Sequence, residues 1–132
     1  MNLTISFLMC KTEDEKEPSI LFSKNENGNY ELPSFQMKDD DYDVDKFVNA
    51  SFKSITGVQP IDKRGFGWIN LFLSGTIVSN KKYSFVYMCK LPDNIVVKTY
   101  EAVKMSSILE SENFEEDYIS QVIHCFNNLY NR

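Results

Sequence analysis

The chain has one histidine, no cluster of lysine and arginine, and no long apolar run in its 132 residues. Each absence closes a route. His124, between Ile123 and Cys125, has no serine or aspartate in a recognisable nucleophile arrangement beside it, so it reads as a structural or surface residue. A formal charge of −5 and a pI near 4.9 exclude nucleic-acid affinity built on neutralising phosphates. No apolar stretch approaches the roughly 18 residues that a membrane helix needs. The segment Asn2 to Cys10 lacks a basic start and alternates polar with apolar residues before the charged stretch Lys11 to Glu17, which is a strand pattern and not a signal peptide. The three cysteines, Cys10, Cys89 and Cys125, are odd in number, far apart and each in an apolar stretch. They read as buried free thiols in a reducing, cytoplasmic setting.

What is present is core. A hydrophobic content of 42%, with ten Phe, seven Tyr and one Trp, fills one interior and not two, so residues 1–132 form a single domain. Alternation puts Leu3, Ile5, Phe7 and Met9 on one face of a first strand, with Ser19 to Ser23 as its hairpin partner. Asn27-Gly28 marks a turn, Tyr30 to Phe35 is extended around Pro33, and an acidic loop follows from Lys38 to Asp43. Val44, Phe47, Val48, Phe52 and Ile55 recur at helical spacing, with Asp43 as N-cap and Gly57 as terminator. Gly65 to Leu73 and Tyr83 to Cys89 read as two long central strands joined by the turn Ser79 to Lys82. A weaker strand at Ile95 to Thr99, an extended piece at Glu101 to Lys104 and a short segment Ser106 to Leu109 lead to a final helix. That helix carries the stripe Phe114, Tyr118, Ile119, Val122, Ile123, Phe126, Leu129 and Tyr130, with Asn113 and Glu116 placed for its cap. The order β-β-β-α-β-β-(β)-α predicts one α/β unit.

That order, with Leu32-Pro33 ahead of an acidic loop and a helix ending in Gly57-Val58, resembles the Nudix (MutT-like) hydrolase superfamily over most of the chain. The Nudix box reads G-x5-E-x7-R-E-U-x-E-E-x-G-U, with U an apolar residue. Phe52, Gly57 and Val58 keep its scaffold positions. Its chemical positions are degenerate: arginine and glutamate become Ala50 and Ser51, the paired glutamates become Ser54 and Ile55, and the two glycines after the proline become Ser34 and Phe35. The first box glutamate falls at Asp41 counting from Pro33 and at Tyr42 counting from Gly57, so the loop is one residue longer than the pattern. The resemblance implies a mixed sheet sandwiched between helices. It also implies loss of the usual metal site, because Mg²⁺ needs oxygen ligands and the i, i+3, i+4 face of positions 51, 54 and 55 offers no carboxylate.

Other residues carry weaker chemistry. Asp39, Asp41 and Asp43, with Asp40 and Asp45, read as a solvated loop with a helix cap, or as a substitute cation site that lacks the central glycine and closing glutamate of a calcium loop. Lys53 sits within the degraded box. Phe35, Phe66 and Trp68 are candidates to stack on a base or sugar, against the plainer reading as core aromatics and a glycine-punctuated strand entry. Three functions follow as expectations. The first is an inactive Nudix-like domain that binds a nucleotide-type ligand or a protein partner and needs no cofactor. The second is a divergent hydrolase drawing Mg²⁺ or Mn²⁺ from Asp39 to Asp45 and Glu101 and cleaving a nucleoside diphosphate-linked substrate. The third is a small α/β interaction module. No nucleic-acid or membrane partner is expected, and the aromatic load is compatible with a homodimer.

Overall fold

The computed structural model describes residues 3–11, 17–38, 40–41, 43–79, 81–110 and 112–130. Their elements are β1 Thr4–Lys11, β2 Ser19–Lys24, β3 Tyr30–Glu31, β4 Ser34–Gln36, α1 Val44–Thr56, β5 Phe72–Ser79, β6 Lys82–Leu91, β7 Glu101–Lys104, α2 Met105–Glu110 and α3 Glu116–Tyr130. The strands make one mixed sheet in the order β3-β2-β1-β6-β5, with β4 added on β1 and β7 on β2. At its centre β1 and β6 run parallel from Thr4↔Ser84 to Lys11↔Leu91, and the other strand pairings are antiparallel.

The centre is apolar on both faces, as a covered sheet requires. Ile5, Phe7, Met9 and Leu21 meet Val48 and Phe52 of α1 on one side, where Phe7 and Phe52 pack with ring centroids 5.7 Å apart. Leu8, Cys10, Ile20, Phe22, Val86 and Met88 meet Val122, Cys125 and Phe126 of α3 and Ile108 of α2 on the other. The sheet is therefore sandwiched between α1 and the α2/α3 pair. Helix α1 forms as its sequence predicts: Asp43 accepts a hydrogen bond from the Lys46 N–H at 3.1 Å, and Gly57 ends the helix at φ 78° with its N–H on Lys53 C=O at 2.8 Å.

Four local expectations are corrected. Tyr30 to Phe35 is two strands and not one, because Pro33 has no N–H to continue a ladder; β3 pairs with β2, β4 pairs with β1, and the intervening Leu32 N–H goes to the Tyr118 hydroxyl at 2.9 Å. The strand predicted from Gly65 begins only at Phe72. Before it, residues 60–69 form a tight loop in which Asp62 Oδ1 accepts from the backbone N–H groups of Arg64 and Phe66, leaving a single parallel bridge between Pro60 and Ile69. Gly67 is obligatory there: it sits at φ 136°, and a Cβ would lie 2.4 Å from Pro60 O. Ile95 to Thr99 forms no strand, and Val97 is its buried anchor in the core. Helix α3 starts at Glu116, later than a cap at Asn113 would set it, and the Asn113 carbonyl instead accepts the Tyr30 N–H at 2.7 Å.

Candidate functional site

Strand alternation turns Thr4 and Ser6 of β1 toward the α3 side, in line with the buried Leu8 and Cys10. The face thus changes from hydroxyl to hydrocarbon along one strand. The neighbouring β6 makes the same change one step earlier in the register, from Lys82 and Ser84 to Val86 and Met88, so that Ser84 lies diagonally beside Ser6, and β4 adds Ser34 directly opposite Ser6. The polar half of the face becomes the wall of a 290 Å³ cleft, completed by Glu31, Gln36, Lys82 and Tyr118.

Three serine hydroxyls cross the sheet as a ladder. Ser34 Oγ donates to Leu32 C=O at 2.9 Å, Ser6 Oγ lies 2.7 Å from Ser34 Oγ, and Ser84 Oγ contacts Ser6 Oγ closely. A serine has one proton and two lone pairs. Ser34 spends its proton on the carbonyl, so Ser6 donates to Ser34 and Ser84 donates to Ser6. Aligned donors polarise one another. The ladder leaves acceptor lone pairs, chiefly on Ser84, for a ligand that brings N–H or O–H groups, and Lys82 supplies a cation at the same cleft. Tyr118 accepts the Leu32 N–H at 2.9 Å, and burial pushes its phenol above the ordinary range, so it stays neutral and keeps an O–H to donate.

The helix α1 positions are arranged differently. Ser51 is 7% exposed and faces the core, Ile55 packs against the same apolar cluster, and Ser54 is exposed with its hydroxyl donating to Ser51 C=O at 2.6 Å. That set has no carboxylate and one committed hydroxyl, and it does not suit a hard divalent cation. Ala50 is exposed beside Asp40, Asp41, Asp43, Lys46 and Phe47, around a 310 Å³ hollow at the start of the helix. Asp41 accepts the Lys38 N–H at 2.8 Å and Asp43 caps the helix; Asp39 and Tyr42 lie outside the described residues. Glu101, on β7, accepts the Tyr30 hydroxyl at 2.9 Å. No group of three or more His, Cys, Asp or Glu that could hold a metal occurs among the described residues.

The remaining predicted residues are scattered. Phe35 is half-buried, edge-on to Phe7 at 6.0 Å, and belongs to the core on the α1 side. Lys53 is exposed. Phe66 and Trp68 stand 68% and 79% exposed on the 60–69 loop, with the Arg64 guanidinium 5.4 Å from the Phe66 ring. His124 is exposed on α3. None of these lines the serine cleft.

Comparison with solved structures identifies the architecture. A Nudix-family hydrolase of Clostridium perfringens superposes with a TM-score of 0.65 at 10% identity, over 97% of each chain. This chain has a Nudix fold. The Nudix domain of Shewanella oneidensis NrtR, solved with ADP ribose, matches at TM-score 0.58 and 12% identity, over 96% of this chain and 87% of that one. The C-terminal domain of mouse MUTYH, solved in complex with human PCNA, matches at 0.70 and 13%, over 99% and 90% respectively. No protein-family profile matches the sequence, and no curated protein matches it. The serine ladder lies across the sheet from α1. The sequence reading missed Ser6 and Ser84. The signal was there in the polar-to-apolar switch that β1 and β6 each make along one face.

Proposed function

We propose that this is a Nudix-fold binding domain that takes a nucleotide-type ligand in the serine-walled cleft and performs no metal-dependent pyrophosphate hydrolysis. The observation that carries the reading is the division of polar equipment: the box helix presents Ser51, Ser54 and Ile55 where a cation would need carboxylates, while the cleft across the sheet presents aligned hydroxyl acceptors and Lys82. Base amines and ribose hydroxyls are the donors such a wall accepts, and a phosphate is the group a lysine draws in. The ADP ribose held by the similar NrtR domain supports the same ligand class.

The test combines turnover with binding. Nucleoside triphosphates, nucleoside diphosphate sugars, ADP ribose and dinucleotides, incubated with the protein and Mg²⁺ or Mn²⁺, release no product. Calorimetry with the same panel detects a binder whose affinity falls about tenfold or more in Ser84→Ala, the loss expected when a hydrogen bond to a polar ligand goes unmade. Turnover at ordinary enzyme rates overturns the reading. If that turnover also vanished in Asp41→Asn, the protein would be a divergent hydrolase drawing its metal from the acidic loop.

A further inference from the structure

The serine cleft is divided into a part that accepts hydrogen bonds and a part that donates them. Along the ladder every proton is assigned: Ser84 donates to Ser6, Ser6 to Ser34, and Ser34 to Leu32 C=O. Each hydroxyl oxygen has two lone pairs. Ser84 therefore keeps two for a ligand, and Ser6 and Ser34 keep one each. The ladder accepts and does not donate. Glu31, the residue before Leu32, adds a carboxylate to the lining at the Ser34 end, where it repels an anion.

The outer part of the cleft is the reverse. Two residues nearer the strand starts, about 7 Å along, stand Thr4 before Ser6 and Lys82 before Ser84, with Gln36 paired to Thr4 and Ser79 paired to Lys82. The Lys82 ammonium, the Gln36 amide and the two hydroxyls can all donate. Lys82 is the one cation among the described lining residues. Tyr118 is the one ring among them, and it packs against the α3-side core with its hydroxyl on the Leu32 N–H, so it offers no open face for a base to stack on. A purine would also set its ring-nitrogen acceptors against a wall of acceptors. A sugar hydroxyl rotates to donate wherever a lone pair faces it. At 290 Å³ the cleft lies at the lower limit of small-molecule sites, about 300–1,000 Å³, and has room for a monosaccharide group in preference to a whole dinucleotide.

We infer that the cleft reads the sugar phosphate of its ligand, with the vicinal hydroxyls of a pentose on the serine ladder and the phosphate at Lys82, and leaves the base unread. The inference rests on the cleft being the ligand site and narrows what the site recognises. The probes are ribose 5-phosphate, 2-deoxyribose 5-phosphate and adenine, titrated by calorimetry into the full chain and competed against ADP ribose. Ribose 5-phosphate binds and displaces ADP ribose, and adenine does neither. The 2-deoxy sugar phosphate binds about tenfold more weakly, because one ladder acceptor goes unmatched. Lys82→Glu, at an exposed residue, weakens ribose 5-phosphate about tenfold or more, whereas Leu109→Asp, exposed and outside the cleft, leaves it unchanged. Unaltered melting curves show that these variants and Ser84→Ala fold. Adenine binding as tightly as ribose 5-phosphate, equal binding of the two sugar phosphates, or no heat from ribose 5-phosphate at millimolar concentration overturns the inference. The two readings fail separately. Ser84-dependent binding of ADP ribose that ribose 5-phosphate does not displace refutes the inference and leaves the nucleotide reading standing; Ser84-dependent binding of ribose 5-phosphate by a chain that binds no nucleotide supports the inference and overturns that reading.

Discussion

Helices α1 and α3 flank one sheet and do opposite work. Helix α1 presses Val48, Ser51 and Phe52 into the core and keeps its hydrogen bonds local, at its two caps and between Ser54 and Ser51. Helix α3 also buries apolar residues, yet it sends Tyr118 to the backbone of Leu32, Gln121 to Val78 and Asn128 to Ser74. The polar reach toward remote backbone thus lies with α3, and α1 keeps its side-chain hydrogen bonds to itself.

The contrast can be broken most forcefully at α1. Phe52→Ala, at a residue with no exposure, lowers unfolding free energy by about 3–5 kcal/mol in chemical denaturation; a loss near zero would mean that α1 is not anchored as described. Next comes α3. Tyr118→Phe leaves the Leu32 N–H without its acceptor at a buried residue and costs about 1–3 kcal/mol by the same measurement. Gln121→Ala costs about 1 kcal/mol and uncovers the Val78 edge, so concentration-dependent association appears in sedimentation where the parent chain shows less. Smallest is Ser54→Glu, which places a carboxylate at an exposed position of α1; it changes stability by about 0.5 kcal/mol or less, and calorimetry with millimolar Mg²⁺ shows no heat because Ser51 and Ile55 beside it offer none.

A pH series sharpens the picture of the interior. Burial pushes the Cys89 thiol up from 9.0 to about 12. A group whose folded pKa is raised keeps its proton in the folded chain while the unfolded chain releases it, so its stabilising contribution is complete below pH 9 and is lost between about 9 and 12. The denaturation midpoint should fall across that window, and fall less in Cys89→Ala.

Much of the fold was legible. The helical spacing from Val44, the Asp43 cap and the terminating Gly57 located α1 to within a residue, because local patterning and capping act within one segment. The β1–β2 hairpin was legible for the same reason. Strand limits near Gly65 and Pro33 were not, since the ends of β3, β4 and β5 depend on Tyr118, on Asp62 and on ladder partners remote in sequence. The cleft was the least legible feature. Ser6, Ser34 and Ser84 each look like an ordinary outward strand serine until the parallel pairing of β1 with β6 and the antiparallel pairing of β1 with β4 set them side by side.

The loop that carries Trp68 has a spectroscopic consequence. This is the chain's only tryptophan, and it is 79% exposed on a backbone pinned by Asp62 and Gly67. Its emission in the folded protein should already lie near that of an indole in water, so unfolding must be followed by circular dichroism. The same indole then becomes a quiet background against which any molecule that settles on the loop announces itself by a blue shift.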